Sequence, residues 1–488
     1  MRDPSTLCTR LPTGALLGLA GFWAVAIVQV RGDGVADWLL PLALAFGIGA
    51  TLAWPRPAAP PTPMAPPPRA AVSWLALLPI LIATIAVTYG ALATPSRHWD
   101  GAAAVDAKTF WLTAAPTLQQ PFFAADGVFH HSPDYPLLLP LLMAMLERLL
   151  PGCGRLVLPA AWLLLLSVFV MALLPRLRTP WLLPVATAAL ALTPVLLTPG
   201  GGAVDSGYND VLLALATTTA AAGLLQRRPL CITLGVVLLI ASKPEGAVYV
   251  GVLAAAAFAT GTGRTLRVLT LAATGALLLW LPTRSTLLHG QGMPAPLLAM
   301  PVLLVGTIVG LLDERLQRRG PAPGLRWSLA LALPLLALLL LPFVAKSLPN
   351  DGGAFAVYLA HADRVWANLG NLPAWLGGVV DFGVRRLHFG TTLLLPIVAT
   401  VVARRRGLSP GPTALAAFAS LGVLSTALPF LLSPEADLDH HLRSSLPRLL
   451  LHWLGPLWLW ATVRLDDVLR AAAPANTATN TNPNPATN

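Results

Sequence analysis

Lysine is nearly missing from this chain of 488 residues: Lys108, Lys243 and Lys346 are the only three among its 32 basic side chains. Charge of either sign is scarce at 11%, against roughly a quarter of residues in soluble domains. A chain this long with so little charge cannot clothe its surface in hydrated groups, which argues against a water-soluble globule. Cysteine is sparse too. Cys8, Cys153 and Cys231 stand far apart with no CxxC pair, so neither a disulfide framework nor a zinc site is indicated. No GxGxxG, P-loop or HExxH occurs, which leaves nucleotide binding without support. The formal net charge of +11 falls in small arginine clusters rather than in a basic stripe with interleaved aromatics, so nucleic acid is not an expected partner.

In place of charge the chain has apolar length. A spanning helix needs about 20 mostly apolar residues. Segments that come close are 13–31, 36–54, 71–93, 156–174, 181–198, 209–225, 230–242, 246–261, 267–284, 298–312, 325–345, 389–403, 412–432 and 447–464. The pattern predicts an all-α integral membrane protein, a multi-spanning bundle of about 14 spans with interfacial or re-entrant helices on its outer face. The first apolar stretch follows Arg2 and Arg10 and lacks a small-residue cleavage site, so it reads as a retained helix. Residues 55–69 form a Pro-rich linker expected to be extended, and the polar low-complexity tail after Ala473 is expected to be disordered. No internal repeat points to an inverted-repeat transporter. The chain then divides into two N-terminal spans with the linker (1–70), a transmembrane core (71–345) with a first outer loop at 94–135, outer loop helices with C-terminal spans (346–472), and the tail (473–488). The preference for Arg, Ala, Leu and Pro over Lys points to a GC-rich bacterial genome.

Charge placement sets the expected sidedness. The segment from Tyr135 to Leu150 is apolar but only about 15 residues long, which suits a re-entrant or interfacial helix better than a span. If 136–150 stays on one side, the inside loops hold Arg56/Arg69, Arg176/Arg178, Arg227/Arg228, Arg264/Arg267, Arg315/Arg318/Arg319, Arg404 to Arg406 and Arg464/Arg470. The outside loops hold most of the acids. That agrees with the positive-inside rule, and a full crossing would reverse it. The expected setting is a bacterial inner membrane, with both termini cytoplasmic and a site on the periplasmic face. Within the long outer segment 346–388, Trp366 and Trp375 suggest a pair of interfacial helices.

Ionisable groups beside spans are costly to desolvate and are functional candidates by default. On the outer side these are Asp100 and Asp106 in WDGAAAVDAK, Asp134 in HSPDYPLLLP, Asp205 and Asp210 in VDSGYND, Lys243 in SKPEG, and Arg443 and Arg448 in DLDHHLRSSLPRLLLH. Bland readings stand beside each: a helix cap for Asp100, turn formers for Asp134 and Asp205, a solvated neighbour for Asp106, a Lys243–Glu245 pair, and headgroup anchoring for the arginines. The adjacent pairs His130/His131 and His440/His441 should point apart, which argues against a joint metal site.

These segments, in this order and on this side, resemble the GT-C superfamily of multi-spanning glycosyltransferases, in particular bacterial relatives of the protein O-mannosyltransferases. The resemblance covers about 97–455. It implies an inverting transfer of a sugar, a hexose, from a polyprenyl-phosphate carrier to an acceptor hydroxyl on a glycan, lipid or protein at the outer face. Asp100 matches the family's catalytic carboxylate, which would deprotonate the acceptor. Asp134 and Asp205, with Asp106 and Asp210 behind them, would orient the acceptor or, in some members, hold a divalent metal ion. Lys243, Arg443 and Arg448 would meet the charge growing on the phosphate leaving group. Relatives often carry a further aromatic before the lysine of the first motif, and the first two spans have no counterpart. Two other classes share many of these features: a transporter or flippase for a lipid-linked glycan, expected to carry charge deep in the membrane beside broken helices, and a glycan polymerase or ligase using a diphosphate-linked donor.

Overall fold

A computed structural model describes residues 4–53, 70–93, 101–124, 135–197, 204–288, 295–320, 324–332, 361–386, 388–390, 392–409, 411–433 and 437–472. The described residues are helical, with turns and no strand. Four helical stretches are long and apolar enough to cross a membrane unaided: Thr9–Gln29, Gly154–Leu173, Gly263–Leu287 and Thr413–Leu431. Shorter apolar helices fill in around them, among them Leu39–Ala53, Leu182–Ala191, Asp210–Gln226, Pro229–Ser242 and Glu245–Ala259. The protein is therefore a helical membrane protein, built on the apolar runs anticipated above. The Pro-rich linker, the C-terminal tail and residues 333–360, with most of the span expected at 325–345, lie outside the described residues.

The Asp210–Gln226 helix is the axis of the bundle. Every residue from Asp210 to Leu225 is buried, so it has no lipid-facing or water-facing side, the signature of a central helix. Its sequence is small and apolar, with Thr217, Thr218 and Thr219 returning their hydroxyls to carbonyls three or four residues back. Small side chains let neighbours approach closely, as membrane helices require where no hydrophobic drive separates helix from lipid. The Pro229–Ser242, Val157–Leu173 and Leu454–Ala472 helices pack around it.

The two N-terminal helices form their own tight pair. A Cβ built on Gly47 would lie 2.4 Å from the Gly14 carbonyl oxygen and 2.5 Å from the Gly18 nitrogen, so only glycine lets these backbones touch. The Thr283 hydroxyl donates to the Ile27 carbonyl at 3.0 Å and ties this pair to the bundle.

Contacts sort the helix termini into two ends. At one end the turn after the first helix meets 115–119 through Val35 N–H to the Pro116 carbonyl (2.9 Å), and Asp37 holds Arg148 at 2.6 Å. That guanidinium keeps the Asp37 carboxyl below its ordinary range by hydrogen bonding. The opposite end gathers Arg176, Gln226, Arg178, Asp466 and Arg406 through bonds between neighbouring termini.

The 135–150 segment contains a 12-residue helix, Leu138–Leu149, buried over Leu138–Met145. Its entry is held by Lys108, whose Nζ donates to the Tyr135 carbonyl at 3.5 Å, and its exit by Arg148 on Asp37 and on the Thr113 carbonyl. Both flanks bond to residues of the Asp37 end, and about 18 Å of helix is too short for a bilayer core of ~30 Å. The segment after 360 is made of short pieces, Ala362–Val365, Ala367–Asn371, Leu372–Val380 and Asp381–Arg385, with Trp366 exposed and Trp375 buried and donating to the Thr426 hydroxyl at 3.2 Å.

Three expected spans are interrupted: 181–198 between Ala191 and Pro194, 412–432 at Thr426 and Ala427, and, with the largest consequence, 447–464. The continuous span expected at 447–464 is broken: Leu438–Leu451 ends, His452 and Trp453 turn, and Leu454–Ala472 follows. Pro447 and Pro456 flank the interruption, and each removes a backbone donor.

Replacing Gly47 by Val is expected to destabilise the N-terminal pair by about 1–3 kcal/mol through overpacking, read as a lower thermal midpoint in detergent; Gly49→Val, where a Cβ meets open space, is the control. In a cysteine-free background, Cys at Asp37 and Cys at Arg405 are expected to react with an impermeant thiol reagent from opposite sides of sealed membrane vesicles. Labelling from the same side would overturn the two-ended arrangement.

Candidate functional site

The centre of the site is one carboxylate. Asp210 is 1% exposed and begins the central helix. Its Oδ1 accepts from Lys243 Nζ at 2.7 Å and faces His452 Nε2 at 2.9 Å, and its Oδ2 accepts from Arg448 Nε at 2.8 Å. Lys243 is 4% exposed, and Arg448 forms the outward edge of the group with its side chain 14% exposed. An isolated buried charge is strongly unfavourable, and a pair survives burial only with good geometry and further hydrogen bonds. Here the carboxylate is so fully satisfied that its role is to hold cations, not to take protons.

Three sequence features create this group. The Asn209–Asp210 dipeptide opens a helix at its N-terminus, where a negative side chain is favoured. Lys243 and Pro244 form the apex between Pro229–Ser242 and Glu245–Ala259, and the turn is sharp: a Cβ on Gly246 would lie 1.8 Å from the Leu239 carbonyl oxygen. The break after Leu451 turns the His452 ring toward Asp210. Because Asp210 can only accept, His452 Nε2 carries the proton and donates; Nδ1 faces the Tyr249 hydroxyl at 2.8 Å and accepts from it. The Thr217 hydroxyl donates to the His452 carbonyl. Under Arg448 lies the Tyr208 ring, 3.6 Å from the guanidinium carbon, a cation–π contact.

The two helices that carry Lys243 and Asp210 are short. Counted from the Arg227/Arg228 turn, the 14 residues of Pro229–Ser242 rise about 21 Å, and the 17 residues of Asp210–Gln226 about 25 Å. Both are shorter than a hydrocarbon core of ~30 Å.

A second, more exposed group sits at the same end. Arg155, just before the Val157–Leu173 helix, reaches Asp106 Oδ2 at 3.2 Å and donates to the Asp205 carbonyl at 2.9 Å. Asp106 closes a π-helical turn, Gly101–Asp106, and is thus an ion-pair partner rather than only a solvated neighbour. The Asp205 side chain lies against Gly90, where a Cβ would come within 2.3 Å of Oδ2; the Ala70–Ala93 helix approaches it through that glycine. An open groove of about 580 Å³ beside this group is lined by Asp106, Thr109, Phe110, Thr113, Met143 and Arg155. Asp106 Oδ1, Asn209 Oδ1 and Glu245 Oε2 are buried acceptors that find no donor among the described residues.

Of the residues singled out in the sequence, Asp210, Lys243 and Arg448 meet in one group, and Asp106 and Asp205 stand together around Arg155. Asp100 and Asp134 lie outside the described residues, as do His130 and His131. Arg443 is not with the others: it is exposed and pairs with Asp439 one turn away. Lys243 does approach Glu245, at 3.7 Å, but Asp210 is its closer partner. His440 is exposed while His441 is buried against Ser433, so the two point apart as expected. Among the described residues no cluster of three or more His, Cys, Asp or Glu forms a metal site. Sequence reading missed His452, Tyr249, Tyr208 and Arg155. For His452 a signal existed: an ionisable residue inside the apolar run LLLHWLG.

No protein-family model matches this chain, and no curated protein matches it.

Removing one partner from the buried group should cost more the more partners it strands. Asp210→Asn, which takes from Lys243 and Arg448 their shared carboxylate and leaves Lys243 only the more distant Glu245, is expected to lose about 3–5 kcal/mol. Lys243→Met, which leaves Asp210 bound to Arg448 and His452, is expected to lose clearly less. Thermal unfolding in detergent measures both, and equal losses would show that Asp210 is not the hub.

Proposed function

We propose that the protein is a membrane glycosyltransferase that moves a hexose from a polyprenyl-phosphate carrier to an acceptor hydroxyl at the Asp37 end of the bundle. The observation that supports this reading best is the buried Asp210–Lys243–Arg448–His452 group, with the Arg155–Asp106 pair and its open groove at the same end of the bundle. A transfer from a lipid phosphate leaves a dianionic phosphate, which needs fixed cations in a low-dielectric pocket. Arg448 and Lys243, locked by one carboxylate, are preorganised cations of that kind. Arg448 at the outward edge offers a planar fork suited to phosphate oxygens. The groove wall of Phe110 and Met143 suits an apolar chain, and Asp106 and Asp205 stand where an acceptor would enter.

In this reading Asp210 is a positioning residue. Its oxygens are occupied by Lys243, Arg448 and His452, so the base that deprotonates the acceptor is another carboxylate, and Asp100, directly before the Gly101–Asp106 turn, is the proposed one. The acceptor oxygen attacks the anomeric carbon, the bond to the phosphate oxygen breaks, and the acceptor proton passes to Asp100; attack opposite the leaving group inverts the anomeric centre. By the GT-C resemblance, Asp134 would orient the acceptor or hold a divalent ion. The site faces the periplasm of a bacterial inner membrane, with both termini in the cytoplasm.

A transporter or flippase for a lipid-linked glycan is the second reading. It is favoured by one feature, the buried ionic group at a helix break. Diphosphate-linked polymerisation has no such feature beyond those it shares with the first reading.

Purified protein given a panel of polyprenyl-phosphate hexoses and hydroxyl acceptors is expected to consume one donor and release the polyprenyl phosphate. Asp100→Asn is expected to lower that turnover at least a hundredfold with normal insertion. Near-wild-type transfer by this variant would remove Asp100 from the mechanism. Movement of intact donor across vesicles without consumption would establish the transporter instead.

A further inference from the structure

The end of the bundle opposite the Asp210 group is a continuous arginine surface. Arg176 donates to the Leu225 carbonyl at 2.5 Å, bringing it beside Arg227 and Arg228. The next turn is bound to the C-terminal helix: the backbone N–H groups of Arg178 and Thr179 donate to Asp466 at 3.3 and 2.9 Å. That helix in turn receives Arg406, which donates to the Val468 carbonyl at 3.0 Å. Five helix termini thus place Arg176, Arg178, Arg227, Arg228, Arg404, Arg405 and Arg406 on one connected face, all exposed.

The acids within this face are already committed. Asp466 accepts from the 178–179 backbone and from Arg470 at 3.1 Å, and Asp467 binds Arg464 at 2.9 Å and Arg470 at 2.5 Å. The seven exposed arginines therefore have no carboxylate partner among the described residues. The other basic terminus is partly balanced, since Arg267 pairs with Glu314 at 3.1 Å and Arg326 with Asp313 at 2.7 Å. Its exposed arginines without a carboxylate partner among the described residues, Arg315, Arg318 and Arg319, stand on one helix rather than across several.

Apolar surface adjoins the arginines. Trp181 is 43% exposed directly after the Arg178 turn, Leu230 is 44% exposed beside Arg228, and Val401 is 45% exposed one turn before Arg405. A cationic rim above exposed aromatic and aliphatic side chains matches an amphiphile, and a free anion would have no use for the apolar part. We infer that this arginine face is a binding site for the phosphate headgroup of an anionic phospholipid, with the acyl chains lying along Trp181, Leu230 and Val401. Several unpaired guanidiniums around one headgroup supply the bidentate contacts that arginine makes with phosphate.

The test titrates the purified full chain in detergent with phosphatidylglycerol or phosphatidylcholine and counts bound lipid by native mass spectrometry. Phosphatidylglycerol is expected to be retained and phosphatidylcholine not. The triple variant Arg178→Gln/Arg228→Gln/Arg405→Gln, whose side chains make no bond to the described residues, is expected to weaken retention on the order of a hundredfold. The control Arg315→Gln/Arg318→Gln/Arg319→Gln is expected to leave it unchanged. Equal retention of both lipids, or equal loss in the control, would overturn the site. Displacement of the lipid by inorganic phosphate would show a free-anion site and overturn the lipid assignment. Should the triple variant not fold, raising salt on the wild type must weaken retention, and salt-independent retention would refute the proposal.

Discussion

A single buried carboxylate organises the functional half of this protein. Asp210 draws one cation from a hairpin apex, another from the penultimate helix and an imidazole from the break that follows. These elements are far apart in sequence, separated by as many as 242 residues, and nothing covalent brings them together. Desolvation supplies the constraint: a lysine and an arginine placed this deep are tolerable only around a shared anion. Remove the anion and three helices lose their common point of reference. The Tyr249 hydroxyl, the Thr217 hydroxyl and the Tyr208 ring are secondary supports that orient the imidazole and the guanidinium without adding charge.

How much of this could be read from the chain alone depends on the level. Helices were legible because bilayer crossing demands apolar length, and the runs are uninterrupted. The grouping of termini into two ends was legible because arginine and aspartate partition along the chain, and the inter-terminus hydrogen bonds follow that partition. Lys243 and Arg448 were legible as expensive groups needing a partner. Their partner was not: Lys243 has Glu245 two residues away, and local proximity favoured it, whereas tertiary packing chose Asp210. The hidden break at His452 had a weak signal, since prolines inside membrane helices are often absorbed without interruption. Arg443 illustrates the reverse error of scale, because five residues from Arg448 on a helix puts it on a different face.

The burial of the ionic group bears on function as much as its composition does. A shallow rim of carboxylates would meet water and soluble acceptors freely. The Asp210 group and the Arg155–Asp106 pair with its groove stand at the same end of the bundle. The second contains acids and one arginine; the first contains two fixed cations and one saturated acid. In the proposed reading, the first would meet the phosphate of the donor and the second the hydroxyls of the acceptor.

The hairpin formed by Pro229–Ser242 and Glu245–Ala259 has a further consequence, for the lipid around the protein. Helices of 14 and 15 residues cannot match a hydrocarbon layer ~30 Å thick, and hydrophobic mismatch is relieved by thinning the adjacent leaflet. The leaflet on the Lys243 side should dip toward the bilayer midplane. Headgroups carried down by that dip would stand level with the buried cations, so an amphiphile could reach them by lateral diffusion alone, without its tail ever leaving the membrane.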